Sequence, residues 1–223
     1  MSLDYFFKTL KILLLGAQNT IFLFFIVIIL SIPLGFIVTM LGKIKFPPLQ
    51  WIITAYIFVT RGTPLLLQLL FFYFGLPVIP VIGKYFVFSG LTSAVIGFVI
   101  NYAAYFAEIF RGGLLSIDKG QKEAAKVLGL SKIQTMTKII LPQMFRVTLP
   151  TVTSEIVNLI KDTALLYAVA VQDILYYAKT IVAHDGNVTA LFIAGLIYLV
   201  INTILQLILK KIEAKFSKQD KEQ

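Results

Sequence analysis

Residues 12–42 read ILLLGAQNTIFLFFIVIILSIPLGFIVTMLG, a run without one ionisable side chain. A helix needs roughly 20 apolar residues to cross the hydrocarbon core of a bilayer, and this run exceeds that. Residues 62–83, 85–107 and 186–209 are uncharged as well. Over the 223 residues, 58% are hydrophobic and 14% charged, against about 45–50% and about 25% in a soluble globular domain. The mean hydropathy of +0.89 agrees. This composition excludes a cytosolic enzyme, a disordered chain and a soluble nucleic-acid binder. The net charge of +9 is read as the cytoplasmic flanks of membrane spans, with no nucleic-acid partner.

The pattern predicts a single all-α, polytopic transmembrane domain over residues 1–223 with spans near 14–42, 49–76, 88–112, 147–172 and 187–210. The stretch 49–76 is read as one long span containing Arg61 and kinked at Pro64; two short spans with Arg61 near a turn are the alternative. Five spans put the termini on opposite sides. With the C-terminus inside, the segments 43–48, 113–146 and 211–223 and their immediate flanks hold fourteen of the twenty lysines and arginines, while Lys8, Lys11, Lys84 and Lys179 lie outside. That asymmetry sets the orientation in the bacterial cell membrane, with the N-terminus outside. Lys8 and Lys11 on the outer side are accommodated by an interfacial N-terminal helix led by Leu3, Tyr5, Phe6 and Phe7. The first apolar run is too long for a signal-peptide core, and no A-x-A site follows, so it is expected to stay uncleaved.

The chain has no cysteine and one histidine, His184. Disulfides, iron–sulfur ligation and a thiol nucleophile are excluded, and a metal site is not expected. His184 beside Asp185 and Gly186 reads as a surface-loop residue. No G-x-x-x-x-G-K-[ST] motif occurs: the Gly-Lys pairs Gly42-Lys43 and Gly83-Lys84 lack its other residues. The chain therefore cannot hold ATP by that loop.

The loop 113–146 is too long for a passive turn. Residues 119–128 read as a helix with Lys119, Lys122, Glu123 and Lys126 on one side and Ala124, Ala125, Val127 and Leu128 on the other, ended by Gly129. A second amphipathic piece, 131–141, is expected to stop at Pro142. Glu123-Ala124-Ala125, then Gly129, then Ile139, Leu141 and Pro142 have the spacing of the EAA loop, and in this the chain resembles bacterial ABC importer permeases. The surroundings are similar to the polar amino acid branch, the histidine/arginine/glutamine type. They include Tyr105-Phe106-Ala107-Glu108-Ile109-Phe110-Arg111-Gly112-Gly113, Ser116-Ile117, Gly120-Gln121, Arg61-Gly62-Thr63-Pro64 with Gln68, Lys161-Asp162-Thr163, and Gly16, Thr20 and Gly35 in the first span. Ala164 departs from the serine common there. The resemblance implies a type I importer fold in which the loop is a coupling helix seated in an ATPase subunit. Glu123, Ala124, Ala125, Gly129, Ile139, Leu141 and Pro142 are the coupling residues, and small side chains let the helix sink into a groove.

Charged side chains at mid-bilayer cost about 2.5–3.5 kcal/mol on insertion scales, which makes each a candidate for function. With Glu155 as origin at about 100° per residue, Thr148, Thr151, Asn158 and Asp162 fall within an arc of roughly 80°. They form a polar stripe some 20 Å long. The stripe faces a path, a substrate or other helices; pairing of Glu155 or Asp162 with Arg61, Lys161 or a partner's charge is the structural alternative. Lys161 falls off the stripe, and Lys161-Asp162-Thr163 is in part a packing and gating element. A free amino acid needs acceptors for its ammonium, here Glu155 and Asp162. It also needs donors for its carboxylate, here Arg61, Asn101 and the backbone N–H groups near Gly62-Thr63-Pro64. Asn101 equally suits a helix–helix hydrogen bond.

The resemblance implies a non-enzymatic transport subunit for polar amino acids, and the two acids favour basic ones, with glutamine as the alternative. The resemblance implies two ATPase subunits carrying ATP and magnesium, a second permease subunit (a homodimer is expected, since five spans are few to enclose a path) and an extracytoplasmic binding protein. No cofactor is expected on this chain. An ion-gradient transporter using Glu155 or Asp162 as a proton relay is the rival from another class.

Overall fold

The computed structural model describes residues 3–218, and among them no strand occurs. The last residues of the basic C-terminal flank, 219–223, lie outside the described residues. The long helix α1 runs Leu3–Leu41, about 58 Å at 1.5 Å per residue, almost twice the roughly 30 Å hydrocarbon core. The N-terminal turns are continuous with the first span, so the separate interfacial helix expected there is replaced by an extension of the same rod. Nothing in Leu3–Lys11 breaks the helix, since the segment holds neither proline nor glycine.

Helix α2, Pro47–Gly62, is followed by α3, Leu65–Leu70, and the chain turns through 108° between them. The expected kink inside one 49–76 span is in fact this sharp turn, with Arg61 on the last turn of α2. Pro64 has no N–H, and the residue before a proline is driven out of the helical region; Thr63 is extended at φ −121°, ψ 146°. The carbonyls released there are recovered by side chains. Thr63 Oγ1 donates to Val59 O at 2.8 Å, and Gln68 Nε2 donates to Thr60 O at 2.8 Å and to Thr63 O at 3.1 Å. Inside a bilayer such recovery is what permits a broken helix.

Helix α4, Gly90–Ser116, is the centre of the molecule. It starts on Ser89, whose hydroxyl accepts from Thr92 N, and packs along α1. Thr39 Oγ1 ties the two by donating to Ala107 O at 2.9 Å, and Tyr56 OH joins α2 to α4 by donating to Ile100 O at 2.6 Å. Phe98, Tyr102, Phe106 and Phe110, spaced one turn apart, form a buried ring column with centroids 6.2–6.4 Å apart. With Leu23 and Val27 of α1 and Leu159 and Ile160 they belong to the main apolar cluster.

The loop after α4 forms α5, Lys119–Val127, and α6, Lys132–Thr135. A π-helical turn, Met136–Ile140, leads without interruption into α7, Leu141–Asp162. Pro142 therefore does not stop the second piece. It sits at the start of α7, where Leu141 N–H reaches back five residues to Met136 O and Gln143 Nε2 donates to Ile139 O at 2.9 Å. A proline is tolerated in the first turn of a helix because its missing donor is not needed there, and the wide turn makes room for it. The helix expected over 147–172 begins earlier and ends earlier, at Asp162. A 3₁₀ segment, Thr163–Val169, and a left-handed Ala170 at φ 57° connect it to α8, Ile174–Asp185. Helix α9, Thr189–Lys218, closes the chain.

A second apolar cluster, built on Leu13, Ala17, Ile174, Ala178, Ala190 and Ile193, joins α1, α8 and α9. The approach of α1 to α8 requires Gly16: a Cβ there would lie 2.4 Å from the carbonyl carbon of Asp173. Small residues at such contacts are how helices pack in lipid, where apolar surface alone gives no preference for protein over tails. The outer faces of α1 and α9 expose Phe22, Phe25, Ile29, Phe192 and Leu199. Among the described residues three helices are long and apolar enough to span, and two bent pairs pass the same test together.

Candidate functional site: a polar cavity beside the break in helix two

The turn at Thr63-Pro64 opens against α4 and α7 a cavity of about 730 Å³, lined by Arg61, Gly62, Thr63, Pro64, Leu65, Asn101, Tyr102, Tyr105, Glu155, Asn158, Lys161 and Asp162. Five of the six candidate substrate residues thus meet: Arg61 from α2, Asn101 from α4, and Glu155, Asn158 and Asp162 from α7. Thr151 does not line it, although it is exposed on the same face. Thr148 leaves the stripe altogether: it is buried against α4, where its methyl group fills the space over Gly113. Lys161, placed off the stripe by the helical wheel, also lines the cavity.

The acids are held differently. Tyr102 OH donates to Asp162 Oδ2 at 2.7 Å, and the buried ring column fixes Tyr102 from behind. Among the described residues no ion pair to Glu155 or Asp162 is present, and neither Arg61 nor Lys161 comes within ion-pair distance of these two acids. Arg61 instead lies with Nη1 3.8 Å from Glu108 Oε1 and with its guanidinium 5.3 Å from the Tyr105 ring centroid. Asn101 is 4% exposed and donates to Gln68 Oε1 at 3.0 Å. It serves the helix–helix hydrogen bond, which the sequence left open.

Sequence reasoning gave no site role to Gln68, Tyr105 or Glu108. Glu108 carried a usable signal, being an acid closing an otherwise uncharged run. Gln68 did not, since Thr60 and Thr63 lie across a turn whose angle no periodicity encodes and Asn101 belongs to another helix.

The coupling-loop residues divide as well. Asp118 caps α5 by accepting from Gly120 N, and Ser131 and Gln134 form a reciprocal capping box on α6. Gly129 is left-handed at φ +73°, and Leu130 N donates to Ala125 O and Gly129 N to Lys126 O, the two bonds of a Schellman ending. Glu123 and Ala124 are exposed, but Ala125 is 1% exposed. Ala125 is therefore a seat within the chain, where a larger side chain would pry α5 off its support, and not part of the outer face. Ile139 and Leu141 pack on the main apolar cluster, and Pro142 lies in a small groove beside Phe110 and Phe145. These three anchor the loop to the membrane domain. The outward apolar residues are Val127, Leu128 and Ile133, at 87, 76 and 76% exposure. Burial, and then the charge of Lys122, lowers the pKa of Lys43, which places the α1–α2 turn and the loop at the same end of the molecule. At the other end Tyr5 OH donates to Asp185 Oδ2 at 3.0 Å beside the exposed His184.

The structure is thus a helical domain with candidate membrane spans and a polar cavity between α2, α4 and α7, joined by a continuous helix to a loop presenting apolar side chains. The chain belongs to the family of binding-protein-dependent transport system inner membrane components, which it matches over residues 31–218. It is 38% identical over 193 residues to the arginine transport system permease protein ArtQ of Bacillus subtilis, covering 86% of each chain. It is 34% identical over 205 residues to the L-cystine transport system permease protein TcyB of the same organism, covering 91% of this chain and 86% of the relative. Among solved structures it resembles an amino acid ABC transporter crystallised with histidines, at 27% identity and a TM-score of 0.87 over 96% of this chain and 99% of that one. The protein is a transmembrane permease subunit of an amino-acid ABC importer.

Proposed function

We propose that the importer carries polar amino acids with a preference for basic ones, and that the cavity beside Pro64 holds the substrate during passage. The observation that carries this reading is a pair of carboxylates, Glu155 and Asp162, with no ion pair among the described residues, on one wall of a cavity whose other wall holds Arg61. Two acids can divide the work: one takes the α-ammonium, the other a cationic side chain, while Arg61 takes the carboxylate. The likeness to an arginine permease supports the reading. The likeness to a cystine permease at similar identity leaves the choice of substrate to the groups that line the cavity.

In this reading two ATPase subunits bearing ATP and magnesium dock on the loop at Glu123, Ala124 and the apolar residues Val127, Leu128 and Ile133. A second permease copy completes the path, and an extracytoplasmic binding protein delivers the substrate. The chain itself performs no covalent chemistry. Movement of α5 is passed through its seat at Ala125 and the π-helical turn to α7, and so to Glu155, Asn158 and Asp162.

With the importer reconstituted in liposomes together with its ATPase and binding protein, L-arginine and L-lysine should displace labelled substrate at least about tenfold better than L-glutamine, the value of one charge-assisted hydrogen bond. Equal displacement by L-glutamine would refute the preference for cations. The orientation is tested on the cysteine-free background. In intact cells, a Lys126→Cys variant should react with a membrane-impermeant maleimide only after the membrane is opened, and a His184→Cys variant without opening. Both sites avoid the left-handed glycines near them, and labelling of both from one side would break the five-span arrangement, which puts one span between them.

A further inference from the structure

Arg61 borders two spaces. Besides the polar cavity it lines a second one of about 770 Å³ between α1, α2 and α4, which extends through Gln50 and Thr54 to Lys43 at the loop end and also takes in Glu108 and Arg111. The hold on Arg61 is incomplete. The Glu108 carboxylate is engaged by Arg111, whose Nε donates to Oε2 at 2.8 Å and whose Nη2 donates to Oε1 at 2.5 Å. A two-pronged guanidinium–carboxylate pair is the strongest form of that contact. Arg61 is left with a 3.8 Å approach to the oxygen Arg111 already occupies, and with the face of Tyr105. One carboxylate cannot hold two guanidinium groups equally, and the less tightly held group is the one at the polar cavity, which Glu155 and Asp162 also line. Its side chain is 40% exposed, at the end of a helix that stops one residue later.

We propose that Glu108 is a positioning residue that sets how strongly Arg61 attracts the α-carboxylate of the substrate, and that Arg111 sets how much of Glu108 is left to do so. The proposal rests on an amino acid occupying the cavity. When Glu108 is drawn to Arg111, Arg61 presents its donors to the cavity and takes up the carboxylate. When Glu108 turns to Arg61, the carboxylate loses its partner and the substrate is released toward the second space.

The two neighbours therefore have opposite signs, which general damage to packing would not produce. In the importer purified with its ATPase and placed in lipid nanodiscs, the probes are L-arginine and its α-amide, which keeps the ammonium and side chain but lacks the carboxylate charge. A Glu108→Gln variant should bind L-arginine about threefold to fivefold more tightly, the range of a partly exposed ion pair, and turn over more slowly in uptake. An Arg111→Gln variant should bind L-arginine more weakly by a similar factor. The α-amide should shift less than twofold in either. A shift of both variants in one direction, an equal shift of the α-amide, or no shift at all would overturn the proposal and leave the cavity assignment standing. A wild-type complex that binds neither L-arginine nor L-glutamine would overturn that assignment and this proposal together. If Glu108→Gln does not assemble, Arg111→Gln alone decides: unchanged L-arginine affinity overturns the role of Glu108.

Discussion

Replacing Gly129 with valine is expected to reduce uptake by at least about tenfold while the membrane domain still inserts. Gly129 sits at φ +73° with open space where a Cβ would project, so the damage comes from the backbone and not from a clash. The left-handed conformation costs an ordinary L-residue about 1–2 kcal/mol, more when the side chain is β-branched. That strain is relieved by unwinding the Schellman ending, which releases Ala125 O and Lys126 O and lets α5 change its angle on the π-helical turn. Val127 and Leu128 then no longer point where an ATPase could cover them. An energy of about 1.4 kcal/mol is a factor of ten in the docked population. Asparagine tolerates the left-handed region, so Gly129→Asn should retain most uptake. The measurements are uptake and recovery of the ATPase in pull-down of the permease. Normal uptake by Gly129→Val would remove the loop's angle from the coupling.

The second large effect lies in the cavity. Glu155→Gln should weaken substrate binding at the permease by roughly tenfold to a hundredfold, since a charge-assisted hydrogen bond is worth about 1.5–3 kcal/mol. The substitution keeps volume, and Glu155 has no ion pair that the amide would break among the described residues. Asp162→Asn should have a similar effect, provided its amide oxygen still accepts from Tyr102 OH. Loss of L-arginine binding with L-glutamine binding kept would assign the substituted acid to the side chain; an equal loss assigns it to the α-ammonium. Full uptake by both variants would take the acids out of the mechanism, and failure to assemble, scored by gel filtration, would return them to a structural role.

Much of this site was legible from residue spacing. Glu155, Asn158 and Asp162 recur at three and four residues, so any helix sets them on one face, and Arg61 next to Gly62-Thr63-Pro64 had to lie at an irregular point of the backbone. The same reasoning failed where a partner was supplied by another element. Thr148 shares the angular face of Glu155 but meets Gly113 of α4 and is buried. Ala125 lies among residues that look equivalent by hydrophobicity, and only the return of the chain through Met136–Ile140 turns it inward. Pro142 reads as a stop, yet a single wide turn lets the helix pass through it.

The bilayer explains the division. In lipid every backbone polar group has to be bonded within the protein, so long uncharged runs leave helices as the outcome for α1, α4 and α9, and the glycine spacing of the loop prescribes a left-handed ending because only glycine enters that region without strain. These are local constraints, carried by a few neighbouring residues and therefore visible in the order of the chain. Apolar surface, by contrast, gives no direction to helix association in lipid. Which helices meet is decided by close approaches such as Gly16 on Asp173 and by polar contacts between remote residues: Gln68 with Asn101, Tyr102 with Asp162, and Arg61 with Glu108. Each depends on the 108° turn after Gly62 or on the stacking of α4 against α7, and such relations arise only once the helices are packed.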